Sequence, residues 1–295
     1  MRIAVTGGSG NIGRRVCKEL RQRGHELLCL DVSPPASAEP GFRQVDLCDG
    51  AATLEACRSD EAIVHLAAIP NPFTDPAERV MGVNTMSALN VFEAARKLAI
   101  RRVVYACSES ATGFGIHVPA LKPQYVPVDE FHPCWPHETY SLSKYFGEVM
   151  GENYSRAYGL DVISLRYTWV WFAATLATGR NLLAAKRRGG ALENPWFGAY
   201  ISVGDVARAV VAALDYRPAV SPCFEAFLLT ARDTLYGRPT LEVLSAVYAG
   251  SPPAVRDPAY FAANPCASVF DIRKAERLLG WTPQDHLEDV ERWEF

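Results

Sequence analysis

Arg2-Ile-Ala-Val-Thr6 runs directly into Gly7-Gly-Ser-Gly-Asn-Ile-Gly13, and the fold is decided in this stretch. A short apolar run that stops at glycines reads as a buried parallel strand, because a sheet covered on both faces needs apolar side chains on both sides of its strands. Asn11 to Arg23 follows with Ile12, Val16 and Leu20 at helical spacing. Glycines between the two let the backbone turn tightly. A helix that starts there presents N–H groups that no earlier carbonyl can satisfy.

Working outward, Glu26-Leu-Leu-Cys-Leu30 is a second strand ending at Asp31, and Gln44-Val45 precedes Asp46-Leu47. Ala62–Leu66, Arg102–Ala106 and Asp161–Leu165 are further apolar strands, separated by helical patterns over Val83–Leu98 and Tyr140–Tyr158. Alternation of this kind predicts an α/β fold, a Rossmann-type doubly wound parallel sheet with helices on both faces. Beyond residue 168 the pattern loosens: 168–200 and 218–295 are richer in Pro, Trp and Gly, with short helices over Thr240–Tyr248 and Ile272–Leu279. Val203–Tyr216 reads as a helix returning to the sheet. The expected organisation is a dinucleotide-binding domain of 1–167 plus 201–217, with a smaller, mostly C-terminal substrate lobe of 168–200 plus 218–295.

The 295 residues suffice for a large core, and 49% hydrophobic with 21% charged residues is ordinary for a soluble enzyme. A net charge of -3 gives no electrostatic case for nucleic acid. No stretch approaches the ~20 apolar residues of a membrane span, and the immediate entry into a strand leaves no room for a signal peptide. Eight cysteines without a Cys-x-x-Cys pair point to reduced thiols in a cytoplasmic protein. His132-Pro-Cys-Trp-Pro-His137 superficially suggests a metal site, but it has two prolines and no obvious fourth ligand. It reads as a rigid loop leading to Tyr140, with His137 a candidate substrate contact and no metal expected.

The glycine turn lies where a dinucleotide fingerprint must be, with the pyrophosphate at the helix N-terminus. Asp31, about 20 residues further on, is placed to accept hydrogen bonds from ribose hydroxyls and to repel a 2′-phosphate. NAD is therefore expected over NADP, with Arg14 and Arg15 the opposing cations. Tyr140 and Lys144 are four residues apart, on one face of their helix. Bringing a tyrosine from its ordinary ~10 to near neutrality takes roughly 4 kcal/mol. An adjacent ammonium and an oxidised nicotinamide both favour phenolate.

These features resemble the extended short-chain dehydrogenase/reductases, the NAD-dependent epimerase/dehydratase family. The likeness is carried by Thr6–Gly13, Asp46-Leu47, His65-Leu-Ala-Ala68, Asn84, Ser108-Glu-Ser-Ala-Thr112, Tyr140-x-x-x-Lys144 and Asp271–Trp281. It implies that Gly7, Gly10, Asn11, Ile12, Gly13, Asp31, Asp46, Leu47, Leu66, Ala67, Ala68 and Asn84 hold NAD, together with Tyr140 and Lys144. Ser110 would steady the reacting oxygen, Tyr140 would act as acid/base, and Lys144 would hold the nicotinamide ribose and acidify the tyrosine. Ser108, Thr112, His137, Trp169, Asn181 and Trp196 are the candidate substrate contacts. The family also implies a homodimer through the helices carrying Val83, Leu89, Val91, Phe92, Phe146, Val149 and Met150, positions equally suited to packing on the sheet.

Departures narrow the substrate. The family's sugar dehydratases carry Asp-Glu where Ala111-Thr112 stand, so dehydration is not expected. The Ser-Ala-Thr run and Asn181 are similar to UDP-galactose 4-epimerases, yet the arginine those enzymes set on the diphosphate falls at Gly198, and Thr168-Trp169 replace an asparagine. Uronate dehydrogenases, which act on free sugar acids, resemble the run from Tyr140 to Glu148. Trp169, Trp171, Phe172 and Trp196 read either as a stacking surface for a sugar ring or as core. The first expectation is an NAD-dependent oxidoreductase of a sugar-like secondary alcohol; the alternatives are a sugar epimerase and a dinucleotide-sensing regulator.

Overall fold

A computed structural model describes residues 1–35, 39–58, 60–114, 121–187 and 198–293. Its strands are β1 (Arg2–Thr6), β2 (Glu26–Asp31), β3 (Phe42–Gln44), β4 (Ala62–His65), β5 (Arg102–Ala106), β6 (Tyr125–Val126), β7 (Asp161–Tyr167), β8 (Trp169–Trp171), β9 (Tyr200–Ser202), β10 (Phe224–Leu229) and β11 (Ala254–Val255). The helices are α1 (Asn11–Gln22), α2 (Gly50–Ala56), α3 (Ala77–Lys97), α4 (Thr139–Tyr158), α5 (Leu176–Arg187), α6 (Val203–Asp215), α7 (Thr240–Val247), α8 (Pro258–Ala263) and α9 (Arg273–Leu279).

The described residues form a seven-stranded sheet in the order β10-β7-β5-β4-β1-β2-β3. Parallel register runs Cys29↔Val5↔Val64↔Val104↔Ile163 across β2, β1, β4, β5 and β7. Ile3, Val5, Ile63, Val64, Val103, Val104, Val162 and Ile163 are fully buried, as strands covered on both faces require. The chain leaves β1 toward β2 and β3, then returns to β4 on the other side of β1. The strand order therefore reverses there, and sheets of this kind bind ligands outside the carboxyl ends of the strands at such a point. Phe224–Leu229 lies in a segment that the sequence pattern assigns to the smaller lobe, yet it forms the edge strand beside β7.

Two compact units partition the chain. The first comprises Met1–Ser108, Pro136–Leu165 and Ala207–Ala226. In it α3 and α4 pack side by side. Val91 and Phe92 are fully buried, whereas Phe146 and Val149 remain 43% and 47% exposed.

The second unit holds the described residues of Glu109–Trp135, Arg166–Val206 and Phe227–Phe295. One of its cores gathers Phe114, Val126, Val128, Leu228, Leu244 and Phe270. Another gathers Trp171, Tyr200, Leu235, Leu287, Val290 and Trp293. Asp205 accepts from Gln284 N at 2.8 Å and Asp285 N at 3.1 Å, and its carbonyl takes Trp281 Nε1–H at 3.0 Å. These bonds tie the segment after α9 to the start of α6. No described helix is long and apolar enough to cross a membrane.

Candidate active site

The turn between β1 and α1 closes because its glycines have no side chains. A Cβ on Gly13 would lie 2.0 Å from the Gly7 carbonyl oxygen, and one on Gly7, whose φ is +69°, would lie 2.8 Å from Ala67 N. Only glycine lets α1 begin this close to the ends of β1 and β4. Gly7 N donates to Leu30 O at 2.7 Å and Gly10 N to Gly7 O at 3.1 Å. No side chain caps α1 at Gly10, and Gly10 and Asn11 are exposed, with Ile12 half-buried. The uncapped first turn suits a phosphate group, which needs donors and a positive helix end rather than a competing carboxylate.

Asp31 ends β2 facing this turn. Its Oδ2 accepts from Ser9 N at 3.1 Å and its Oδ1 from Ser33 N at 3.2 Å. Arg14 donates to Ser9 O and to Asn11 Oδ1, while Arg15 is buried and ion-paired with Glu19 at 3.5 Å. Asp46 is exposed after β3 and accepts from Cys48 N at 2.9 Å; Leu47 is buried.

Beyond β4, Leu66 N and Ala67 N each donate to Thr6 Oγ1 at 3.2 Å. The Thr6 hydroxyl also shares a hydrogen bond with His65 Nδ1 at 2.8 Å. Burial, with Lys144 adding, pushes His65 down to about 3, so the imidazole is neutral. Ala68 is half-buried behind this link. Asn84 bonds both ways to the Ile69 backbone, at 2.8 and 3.1 Å, and donates to Ser143 Oγ at 3.0 Å. Its amide thus joins the loop after β4 to α4.

Glu138 starts α4. Its carboxylate accepts from Tyr140 N and Ser141 N, both at 2.6 Å, and fixes the backbone of the tyrosine. One turn on, Lys144 is buried; its Nζ donates to Ala106 O at 2.8 Å and lies 5.9 Å from the Tyr140 ring centroid and 5.5 Å from that of Tyr105. Burial pushes the ammonium down to about 8. Tyr105 sets the height of α4: its hydroxyl donates to Lys144 O at 3.3 Å and occupies space where a Cβ on Gly147 would come within 1.9 Å. Sequence motifs did not single out Glu138 or Tyr105, and Gly147 stood in the run from Tyr140 to Glu148 with no role of its own. The one legible signal was an acid three residues before Ser141 at a helix start.

Ser108 is buried just past β5 in the first unit, whereas Ser110 and Thr112 belong to the second, in the buried turn Glu109–Thr112. The Thr112 hydroxyl donates to Glu109 O at 2.6 Å. Trp169 and Asn181 are also in the second unit: Trp169 is half-buried and edge-on to Trp171 at 5.3 Å, and Asn181 is exposed on α5. Trp171 is core, 1% exposed. Trp196 lies outside the described residues. His137 is exposed before α4. His132 uses both ring nitrogens on backbone, Nε2 accepting from Gln124 N at 3.0 Å and Nδ1 donating to Pro133 O at 2.9 Å.

The family model of the NAD dependent epimerase/dehydratase family matches residues 3–182, and the chain belongs to that family. It is 30% identical over 168 residues to a uronate dehydrogenase of Pseudomonas syringae pv. tomato, an alignment spanning 56% of this chain and 58% of that protein. It is 30% identical over 241 residues to a putative UDP-glucose 4-epimerase of Methanocaldococcus jannaschii, covering 73% and 74% of the two. The solved UDP-glucose 4-epimerase of Thermus thermophilus, a complex with NAD, superposes with a TM-score of 0.68 at 25% identity, over 98% of this chain and 96% of that one.

Proposed function

We propose that the chain is an NAD-dependent oxidoreductase acting on a secondary alcohol of a sugar or sugar acid. The observation that carries this reading is the buried Lys144 ammonium one helical turn from Tyr140, anchored on Ala106 O at 2.8 Å. Below about pH 8 that lysine is charged. A charge buried beside a phenol favours its anion. Tyr140 then takes the proton from the carbinol oxygen as the C–H bond of the same carbon breaks and its hydrogen leaves with both electrons. Hydride exchange is the chemistry that a bound NAD would supply there. Glu138 and Tyr105 hold α4 in register for this, and Gly7, Gly10 and Gly13 shape the cofactor's turn. Asp31, which faces the turn and accepts from Ser9 N, favours NAD over NADP. Asp46, Leu47, Leu66, Ala67 and Ala68 would flank the dinucleotide, and Asn84 would support it through the loop at Ile69.

The likeness to uronate dehydrogenase supports free sugar acids, and Gly198 in place of a diphosphate-binding arginine argues in the same direction. The longer alignment with a UDP-glucose 4-epimerase favours a second reading, in which hydride returns to the opposite face of the same sugar. Incubation with NAD and a panel of sugars, sugar acids and UDP-sugars separates the two: a dehydrogenase accumulates stoichiometric NADH and an epimerase does not. No NADH and no epimer from any member of the panel would refute both.

The residues of 168–200 and 218–295 would supply substrate specificity, through Trp169 and Asn181 among others. The exposed Phe146, Val149 and Met86 on α3 and α4 support a homodimer through those helices, and the reduced cysteines fit a cytoplasmic setting.

A further inference from the structure

α1 and β2 bring two thiols together beneath the glycine turn. Cys17 and Cys29 are each 1% exposed. Their sulfurs lie 3.2 Å apart, one thiol donating to the other. Arg21, one turn along α1 from Cys17, donates from Nη2 to Cys29 Sγ at 3.5 Å. The guanidinium is itself held by Glu39 and by Pro40 O at 3.0 Å, and its side chain is 31% exposed, so the Cys29 sulfur lies just under a surface cation. Cys29 also floors the turn. A Cβ on Gly8 would meet Cys29 Cβ at 3.0 Å and Cα at 3.4 Å.

We propose that Cys17 and Cys29 are a reversible disulfide pair, a redox modification site whose closure disturbs the Gly7–Gly13 turn. The contact from Cys17 and the charge of Arg21 draw the Cys29 thiol below its ordinary range, while the shared hydrogen bond raises Cys17. That arrangement makes Cys29 the more acidic, attacking sulfur of the two and Cys17 the resolving partner. With hydrogen peroxide as oxidant, Cys29 sulfur attacks one oxygen, the O–O bond breaks, and the departing hydroxide is protonated to water. The Cys17 sulfur then displaces the second hydroxyl from the sulfenic acid, losing its own proton to form a second water. The two thiols give up two electrons and the peroxide gains them.

A disulfide bond is about 2.05 Å long, so the sulfurs must approach by roughly 1 Å. β2 is pinned on both sides, Cys29 pairing with Val5 of β1 and Phe42 of β3. The movement therefore falls on α1 and on the turn from which it starts, where the approach of Gly13 to Gly7 O leaves no slack. This effect is independent of what the turn binds.

The test treats the purified chain with hydrogen peroxide, alkylates remaining thiols in denaturant, and maps peptides by mass spectrometry. A Cys17–Cys29 linked peptide is expected as the main cysteine product, lost again on dithiothreitol treatment. Hydrogen exchange over residues 7–13 is expected to change by at least about threefold on oxidation and to return on reduction. In Cys17→Ser neither change occurs; the wild-type measurements stand alone should that variant fail to fold. Oxidation confined to the less buried Cys48, Cys134, Cys223 and Cys266, with Cys17 and Cys29 still alkylated, overturns the proposal. A linked peptide with unchanged exchange at the turn overturns the coupling to it.

Discussion

The two units bury their demanding residues on different terms. In the first, the decisive contacts are made to backbone: Gly13 against Gly7 O, Thr6 Oγ1 with Leu66 N and Ala67 N, Lys144 with Ala106 O. In the second, aromatic side chains meet across long stretches of chain, as Trp171 does Tyr200 at 5.5 Å and Trp293 at 6.1 Å. A backbone constraint admits one residue type and leaves a motif. An aromatic core admits many arrangements of equal volume and leaves none.

The sharpest way to break this comparison is at Tyr140. Tyr140→Phe should lower turnover by about 10³-fold while leaving NAD affinity unchanged, as steady-state kinetics and a binding titration will report. Next comes the turn. Gly13→Ala places a methyl group into the Gly7 carbonyl, and NAD affinity should fall about 10- to 100-fold by calorimetry.

Lys144→Met separates function from stability. The ammonium is held at about 8 against an ordinary 10.5, so the folded chain binds fewer protons than the unfolded one between those pH values. Its burial costs stability in full below pH 8, and the cost fades as pH rises toward 10.5. Lys144→Met should therefore raise stability by about 1–3 kcal/mol at pH 7, the lost bond to Ala106 O offsetting part of the gain, and should abolish turnover. Thermal melts at pH 7 and near 10.5 check this: the gain should shrink at the higher value.

The smallest effect belongs to the second unit. A Cβ on Gly179 would come 2.2 Å from the buried Trp171 ring, so Gly179→Ala should cost about 1–2 kcal/mol in denaturant unfolding and leave NAD affinity intact.

The same contrast explains what was legible in the sequence. β1 and β5 fall on the residues that apolar runs ending in turns predict, and α4 begins one residue before the predicted Tyr140. β10 escaped because Phe224–Leu229 follows Pro218 and Pro222 in a stretch whose composition reads as the smaller lobe. Trp171 could be read as ligand surface or core from composition alone. Its burial depends on Gly179, Tyr200 and Trp293, which no local pattern connects to it. Tyr105 and Gly147 look like ordinary strand and helix residues until the phenol is seen filling the glycine's missing side chain.

The most direct test of the central claim is the distance from Tyr140 Oη to nicotinamide C4 in a crystal structure of the NAD complex. The account predicts about 5 Å or less, enough for one carbinol carbon and its oxygen between them. A separation beyond about 10 Å in every protomer would contradict it.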